Sequence, residues 1–285
     1  MGSAFARRLL DAGYELAVYN RTPQRADELV ARGARRVDAP TDLWDETGVV
    51  ITMVADPAAL EDVTLGAGGL LSGPVPAQAS KLIDMSTVSV ASSRRVAEGA
   101  RERGVAYLRA PVSGNPSVVA AGNLSIVVSG ERGAYEDVEQ VLTAIGPNVF
   151  YVGDGEQARV LKLALNLMLA GTAQLMAEAL VLGESSGLDR ETMLAVMGGS
   201  AVGSPFVKYK TPPLLEDDYS TTFSTVMMHK DLELVLDAAT GTGVPLPVTA
   251  TVQQLLQACI STGLGDADFM ALLPRLRREA GLEAG

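Results

Sequence analysis

Gly48-Val49-Val50-Ile51-Thr52-Met53-Val54 is a continuous apolar run, without the alternation of a strand that shows one face to water. Such runs are typical of strands buried on both faces, as in a parallel sheet covered by helices on each side. Working outward, residues 15–19 read as a strand and residues 3–12 as a helix closed by Gly13. Residues 23–32 read as a helix ending at Gly33. Downstream, strands are predicted at 81–85, 106–108, 124–128 and 149–152. Strands that alternate with helices imply a doubly wound α/β sheet. After Gly153 the strand signals stop, and apolar stretches with helical spacing take over through Leu180, then near 226–239 and 249–260. Two domains are expected: 1–152 around the sheet, and 153–285 all-helical, entered by a long interdomain helix. No internal repeat or low-complexity segment is visible.

A chain of 285 residues is too long for one small core, and 47% hydrophobic residues can fill two. The formal net charge of −11 and pI near 4.7 disfavour a broad nucleic-acid or anionic-membrane surface. A single cysteine, Cys259, and a single histidine, His229, leave no intrachain disulfide, no Cys-based metal site, no His cluster and no Ser-His-Asp triad. No metal is expected, and chemistry must come from Lys, Asn, Ser or a cofactor. Arg7 and Arg8 are followed by no apolar signal-peptide core, so a cytoplasmic protein is expected. Residues 160–182 have the length of a membrane span but include Lys162, Asn166, Gln174 and Glu178; a buried helix of a soluble protein is the expectation.

Lys162 is the only basic residue between Arg159 and Arg190, and it lies in the apolar run 160–170. On a helix, Asn166 follows one turn later on the same face. An ammonium held among aliphatic side chains loses hydration, and its pKa falls toward the range where it can trade a proton near neutrality. The alternative is a snorkelling lysine, its stem on the core and its head in water. Spacing alone leaves both readings open. Lys162, Asn166, Gln174 and Glu178 recur at multiples of four, a stripe that fits either a solvated edge or the lining of a cleft.

The N-terminal sequence adds a second signal. A dinucleotide-binding unit opens with a strand and G-x-G-x-x-G leading into a helix. Met1-Gly2-Ser3-Ala4-Phe5 looks like the end of that turn. The expected architecture is therefore a Rossmann-type sheet lacking its first strand, and a start assigned too late would account for it. Asn20-Arg21-Thr22 stands at the tip of the next strand, where an acid would bind the ribose hydroxyls of NAD. Asn, Arg and Thr instead suit a 2′-phosphate. Taken alone, the tripeptide also fits an ordinary turn with Pro23 at the first helical position.

Four further segments follow in order: Asp84-Met85-Ser86-Thr87, Ala110-Pro111-Val112-Ser113-Gly114-Asn115 with Ala121-Gly122-Asn123-Leu124, Lys162 to Asn166, and His229-Lys230-Asp231-Leu232. Together they resemble the D-x-S-T, A-P-V-S-G-G…G-x-L, K-x-x-N-N and K-D-L segments of the β-hydroxyacid dehydrogenase family. The resemblance covers nearly the whole chain. It implies Lys162 as general acid/base, with Asn166 holding substrate and lysine. It implies a substrate carboxylate held by Ser113, Gly114 and Asn115. Val54 and Ala55 would contact the adenosine side of NADP (NAD as the alternative), Thr87 and Lys230 its nicotinamide half, and Gly2, Asn20, Arg21 and Thr22 its phosphates and ribose. A homodimer or homotetramer acting on a small carboxylate-bearing substrate, such as 3-hydroxyisobutyrate or a related C3–C4 acid, is expected.

Departures fall at Asn115, where the family has its second glycine, at Leu165, where it has the first of two asparagines, and at Glu156-Gln157-Ala158, where it has G-x-G. They bear on substrate shape. The competing expectation is a non-catalytic dinucleotide-binding module of the same fold, which Lys162 and Asn166 argue against and the shortened nucleotide loop argues for. A 6-phosphogluconate-type decarboxylating enzyme would need more basic residues and a longer helical domain. His229, Cys259 and Met193, Met197, Met227 and Met228 read as packing residues.

Overall fold

The computed structural model describes residues 1–75 and 80–282. The chain divides into two compact units, Met1–Leu163 and Ala164–Gly285.

The first unit is built on parallel ladders. β1 (Ala17–Val18) pairs with β2 (Arg35–Arg36), while β3 (Val49–Thr52), β4 (Lys81–Asp84) and β5 (Ala106–Arg109) form a second parallel ladder. A third sheet holds β6 (Val112–Ser113), β7 (Ser125–Val128) and β8 (Asn148–Tyr151), with β6 antiparallel to β7 and β8 parallel to it. One antiparallel bridge, Arg109 to Ser129, connects the end of β5 with the end of β7.

The double layer follows from strand periodicity. Ile83 and Leu108 face a core shared with Phe5 and Leu9 of α1 (Gly2–Asp11) and Leu142 of α6 (Arg132–Ile145). Their neighbours Leu82 and Tyr107 face the other core, with Leu60 of α3 (Pro57–Leu65) and Val96 of α4 (Val90–Glu102). Successive strand residues point to opposite faces, so both faces of β4 and β5 are covered by helices. Each fully enclosed aliphatic side chain contributes about 1.5–3 kcal/mol relative to an exposed one.

Several elements differ from expectation. Full burial on both faces belongs to β4; on β3 Val49 and Ile51 are only half-buried, because nothing among the described residues pairs with the edge turned away from β4. The 15–19 strand shortens to Ala17–Val18. The expected 23–32 helix is a 3₁₀ turn, Pro23–Ala26, followed by α2 (Asp27–Ala31). β2 and β6 have no sequence signal: β2 is two exposed arginines, and β6 holds two residues between a proline and a glycine.

The second unit is all-helical as expected, with no strand among its described residues. It comprises most of α7 (Gln157–Ser185), then α8 (Arg190–Gly199), α9 (Pro205–Leu215), α10 (Thr225–Thr242), α11 (Pro247–Cys259) and α12 (Leu272–Glu279). Side-chain oxygens of Asp189, Ser204 and Ser224 cap α8, α9 and α10 by accepting from the N–H groups of Thr192, Val207 and Met227. The division between the two compact units falls inside α7, at 163/164. The reason is a set of polar ties that fasten the first turns of α7 to the sheet.

Candidate active site

Those ties centre on Asp84, the last residue of β4 and fully buried. One carboxylate oxygen accepts from Thr52 Oγ1 at 2.7 Å, from Ser86 Oγ at 2.7 Å and from the Ser86 N–H at 3.2 Å. The other accepts from Nη2 of Arg159, whose side chain is 1% exposed. The same guanidinium donates through Nη1 to the Ser86 carbonyl at 2.5 Å, through Nε to Ser93 at 3.3 Å and through Nη2 to the Tyr107 hydroxyl at 3.1 Å. Burial works against the charge on Arg159, but Asp84 and Tyr107 outweigh it and hold the guanidinium above its ordinary value. Burial pushes the Tyr107 hydroxyl up as well.

Two more contacts hold the start of α7. Arg109, at the end of β5, donates to Glu156 at 3.0 and 2.5 Å, and both side chains are nearly enclosed. Ser129 donates to the Gly155 carbonyl at 2.7 Å and accepts from the Ala158 N–H at 3.2 Å. The lysine-bearing helix therefore starts at the carboxyl ends of β4, β5 and β7, where parallel sheets bind ligands. Glu156, which replaces a glycine of the family pattern, does structural work by pairing with Arg109.

Lys162 lies one turn beyond Arg159 and is half-buried rather than enclosed. The leucines beside it in sequence point elsewhere around the helix: Leu163 is buried, whereas Leu161 is 39% exposed. Asn166 is 2% exposed, Gln174 is buried, and Glu178 is exposed and accepts from Gln174 at 2.7 Å. The polar stripe thus runs from a half-buried lysine through enclosed amides to solvent.

The segment after β3 is tied to the Asp84 network, since the Val54 N–H donates to Ser86 Oγ at 2.9 Å. Ala55 is exposed, and Thr87 is half-buried behind Ser86. In the next loop Ser113 ends β6. Gly114 has φ +142°, and a Cβ there would lie 2.9 Å from both Leu124 Cδ1 and Val118 Cγ1, so only glycine fits. Asn115 is the N-cap of α5 (Pro116–Ala120), its side-chain oxygen accepting from the Val118 N–H at 3.0 Å. Asparagine followed by proline is the sequence signal for that cap. The carboxamide oxygen is therefore held as a cap.

The carboxyl ends of β1 and β3 suit an anionic nucleotide. α1 carries no acidic residue in its first turn, and a Cβ built on Gly2 would meet Met53, just after β3, at 3.7 Å. The first helical bonds run from the Ala4 and Phe5 N–H groups to the Met1 carbonyl, and the N–H groups of Gly2 and Ser3 ahead of them favour phosphate. At the tip of β1, Asn20 closes the turn by donating to the Thr22 carbonyl at 2.8 Å, and the Thr22 hydroxyl makes no capping bond. Arg7, Arg32 and Arg36 pair with Glu28, Asp11 and Asp27 at 3.0, 2.6 and 2.9 Å, and Arg35 pairs with Glu46. Arg21 and Arg25 are exposed and have no carboxylate partner among the described residues. Two unneutralised guanidiniums beside a hydroxyl fit a phosphate ester.

In the helical unit Asp231 joins residues that the sequence singled out separately. It is 1% exposed, accepts from Asn166 Nδ2 at 2.5 Å, and pairs with Lys230 Nζ at 2.9 Å. Asp231 itself was not among the expected site residues, although its place in the Lys-Asp-Leu segment was the available signal. His229 is a packing residue, buried with Nε2 2.8 Å from Gln253 Nε2.

Residues 1–153 match the family described as the NAD-binding domain of 6-phosphogluconate dehydrogenase, and residues 156–276 the NAD-binding family of NADP-dependent 3-hydroxyisobutyrate dehydrogenase. The chain is 30% identical to glyoxylate/succinic semialdehyde reductase 2, chloroplastic, of Arabidopsis thaliana, over 100% of this chain and 79% of the relative. It is similar to the solved structure of Mycobacterium tuberculosis 3-hydroxyisobutyrate dehydrogenase with L-serine, at 28% identity and a TM-score of 0.86, covering 97% and 96% of the two chains. A structure of Psf3 in complex with NADP+ and 2-OPP is 25% identical with a TM-score of 0.88, covering 97% and 96%.

Proposed function

Because the chain belongs to the β-hydroxyacid dehydrogenase family of NAD(P)-dependent oxidoreductases, we propose that it interconverts a small semialdehyde acid and its hydroxy acid, with NADP(H) preferred and Lys162 as general acid/base. One observation carries this reading: the buried Arg159–Asp84 pair anchors α7 at the carboxyl end of β4, one turn before Lys162. The nicotinamide, when bound, supplies or accepts the hydride at the substrate carbon.

Each step left to the protein has a named residue. In reduction Lys162 Nζ donates a proton to the carbonyl oxygen, which becomes the hydroxyl; in oxidation the amine takes that proton back. Asn166, steadied by Asp231, orients the substrate oxygen toward the lysine. The Ser113 hydroxyl and the backbone N–H groups of Gly114 and Asn115 hold the carboxylate. Gly2, Asn20, Arg21 and Thr22 hold the pyrophosphate and the 2′-phosphate, Val54 and Ala55 border the adenosine, and Thr87 borders the nicotinamide. Substrates of C2–C4 length with one carboxylate, such as glyoxylate, succinic semialdehyde and the semialdehyde of 3-hydroxyisobutyrate, match this set.

The test is NADPH oxidation against a panel of C2–C4 aldehydes with and without a carboxylate, using wild type and Lys162→Ala. Turnover of carboxylate-bearing aldehydes is expected, falling by about 10²–10⁴-fold in the variant while NADPH affinity holds. Full turnover in Lys162→Ala removes the lysine from the chemistry, and equal rates on aldehydes lacking a carboxylate remove the substrate class.

A further inference from the structure

Arg159 sits where helix physics gives a cation least support. It is the third residue of α7, whose first turn holds no acidic side chain, so its charge opposes the helix dipole. It is also dehydrated, at 1% exposed. A buried pair such as Arg159–Asp84 is weak evidence for stability, because apolar residues of similar volume often serve as well. Nor does the helix need this pair for attachment. Glu156 on Arg109, and Ser129 on the Gly155 carbonyl and the Ala158 N–H, already tie the start of α7 to the ends of β5 and β7. A local rule broken in this way points to a residue kept for something other than folding.

What Arg159 adds is a link between two parts of the proposed site. Its Nη1 donates to the Ser86 carbonyl at 2.5 Å, and that carbonyl belongs to the peptide unit that leads into Thr87. Nη2 donates to Asp84 and to the Tyr107 hydroxyl, and Nε to Ser93 Oγ at 3.3 Å. The guanidinium is thus gripped from β4, β5 and α4, which fixes its orientation as well as its place. Lys162 follows three residues later on the same face of the same helix, ~4.5 Å along the axis.

We propose that Arg159 is a positioning residue for the reaction: it registers Lys162, the proton donor, against the Ser86–Thr87 peptide that borders the nicotinamide. The inference rests on the proposed reaction and gives a role in it to a side chain too enclosed to touch substrate or cofactor. Hydride and proton go to the carbon and oxygen of one carbonyl, so the lysine and the nicotinamide-bordering segment must keep one spacing. A rigid planar group, carried by the helix and bonded to that segment, sets it. An error of ~1 Å can cost ~100-fold in rate.

The test compares wild type with Arg159→Lys, and with Arg159→Met combined with Asp84→Asn, which leaves no unpaired charge in the interior. Melting curves first establish the temperatures at which each variant is folded. Within that range kcat should fall ~100-fold in both, while KM and the NADPH Kd stay within ~3-fold of wild type. Single-turnover oxidation of bound NADPH should slow by the same factor, which places the loss in the chemical step and not in product release. Glu156→Gln cuts the neighbouring tie and should lower the melting temperature with kcat held within ~3-fold. The positioning role falls if Arg159→Lys keeps the wild-type kcat, if KM or Kd carries the loss, or if Glu156→Gln loses kcat equally. Full turnover in Lys162→Ala would sink the proposed reaction and this inference with it. An inert Lys162→Ala beside a fully active Arg159→Lys would sink the inference alone.

Discussion

Asn166 and Asp231, on different helices of the second unit, are joined by a 2.5 Å hydrogen bond in which the buried carboxylate accepts from the side-chain amide. Lys230 pairs with the same carboxylate at 2.9 Å. Asp231 thus sets how Asn166 is turned. Asp231→Asn keeps the shape but removes the charge and can present an N–H where Asn166 needs an acceptor. The expected result is a ~10–100-fold loss in kcat/KM, the scale of one lost charge-assisted hydrogen bond, with NADPH affinity within a few-fold of wild type. Unaltered kcat/KM would leave Asp231 with a packing role alone.

Arg159→Met leaves Asp84 buried without its cation, and breaking such a pair typically costs about 3–5 kcal/mol. Denaturant unfolding measures it. Arg159→Lys preserves charge, but one ammonium cannot serve Asp84, Ser86, Ser93 and Tyr107 together, so it should recover only part of the loss. A lysine variant as stable as wild type would mean that the fork of donors is dispensable.

These two sites mark what a sequence can reveal. Lys162 and Asn166 stood out because they are polar residues in an apolar helix, and the sheet was legible because 48–54 is a continuous apolar run and the strand signals after it alternate with helices. Arg159 was passed over: what identifies it is Asp84, seventy-five residues away, and only folding puts the two together. The same holds for Asp231, whose partner lies on another helix. β2 escaped because its residues are two exposed arginines whose pairing with β1 uses backbone alone. Asn115 read as a departure from the family's second glycine, and its role as a cap emerged once α5 was visible.

Gly114→Ala should raise KM for a carboxylate substrate more than it lowers kcat. A methyl group at φ +142° pushes on Leu124 and Val118 and displaces the Ser113–Asn115 turn, whose proposed contacts to the carboxylate would act in ground and transition states alike. Ser113→Ala should act in the same direction with less effect on stability. Steady-state kinetics on the best substrate of the panel decides it, and an unchanged KM in both variants would move carboxylate binding to another loop.

The proposed preference for NADP(H) rests on Arg21 and Arg25. The neighbouring arginines are neutralised by Glu28, Asp11, Asp27 and Glu46, so these two set the local positive potential. Replacing both with aspartate should weaken NADPH by about 10–100-fold, the loss of charged hydrogen bonds to one phosphate, while changing NADH much less. Calorimetric Kd values for both cofactors are the measurement. Tighter binding of NADH by the wild type would contradict this account of the strand tip.

The last prediction concerns the two parallel ladders of the first unit. β1 with β2, and β3 with β4 and β5, share no strand pairing among the described residues. Yet Leu16, just before β1, and Val49, Ile51 and Met53, on and after β3, pack partly buried against one and the same core. Among the described residues the outer edges of β1 and β3 have no ladder partner, and the side chains beside them are only half covered. A strand laid between them would hydrogen-bond on both sides and complete the cover, and a Gly-x-Gly turn at its end would bring further N–H donors to the start of α1. Fusing an apolar strand of about five or six residues, followed by Gly-x-Gly, ahead of Met1 is expected to raise both the melting temperature and the affinity for NADPH. The two readouts separate the causes: sheet pairing acts on melting, and the glycine turn acts on Kd. A fused strand with the turn scrambled should keep the gain in melting and lose the gain in affinity. If the fusion changes neither, the half-covered residues of β1 and β3 already satisfy one another, and the gap between the ladders is a settled feature of the fold.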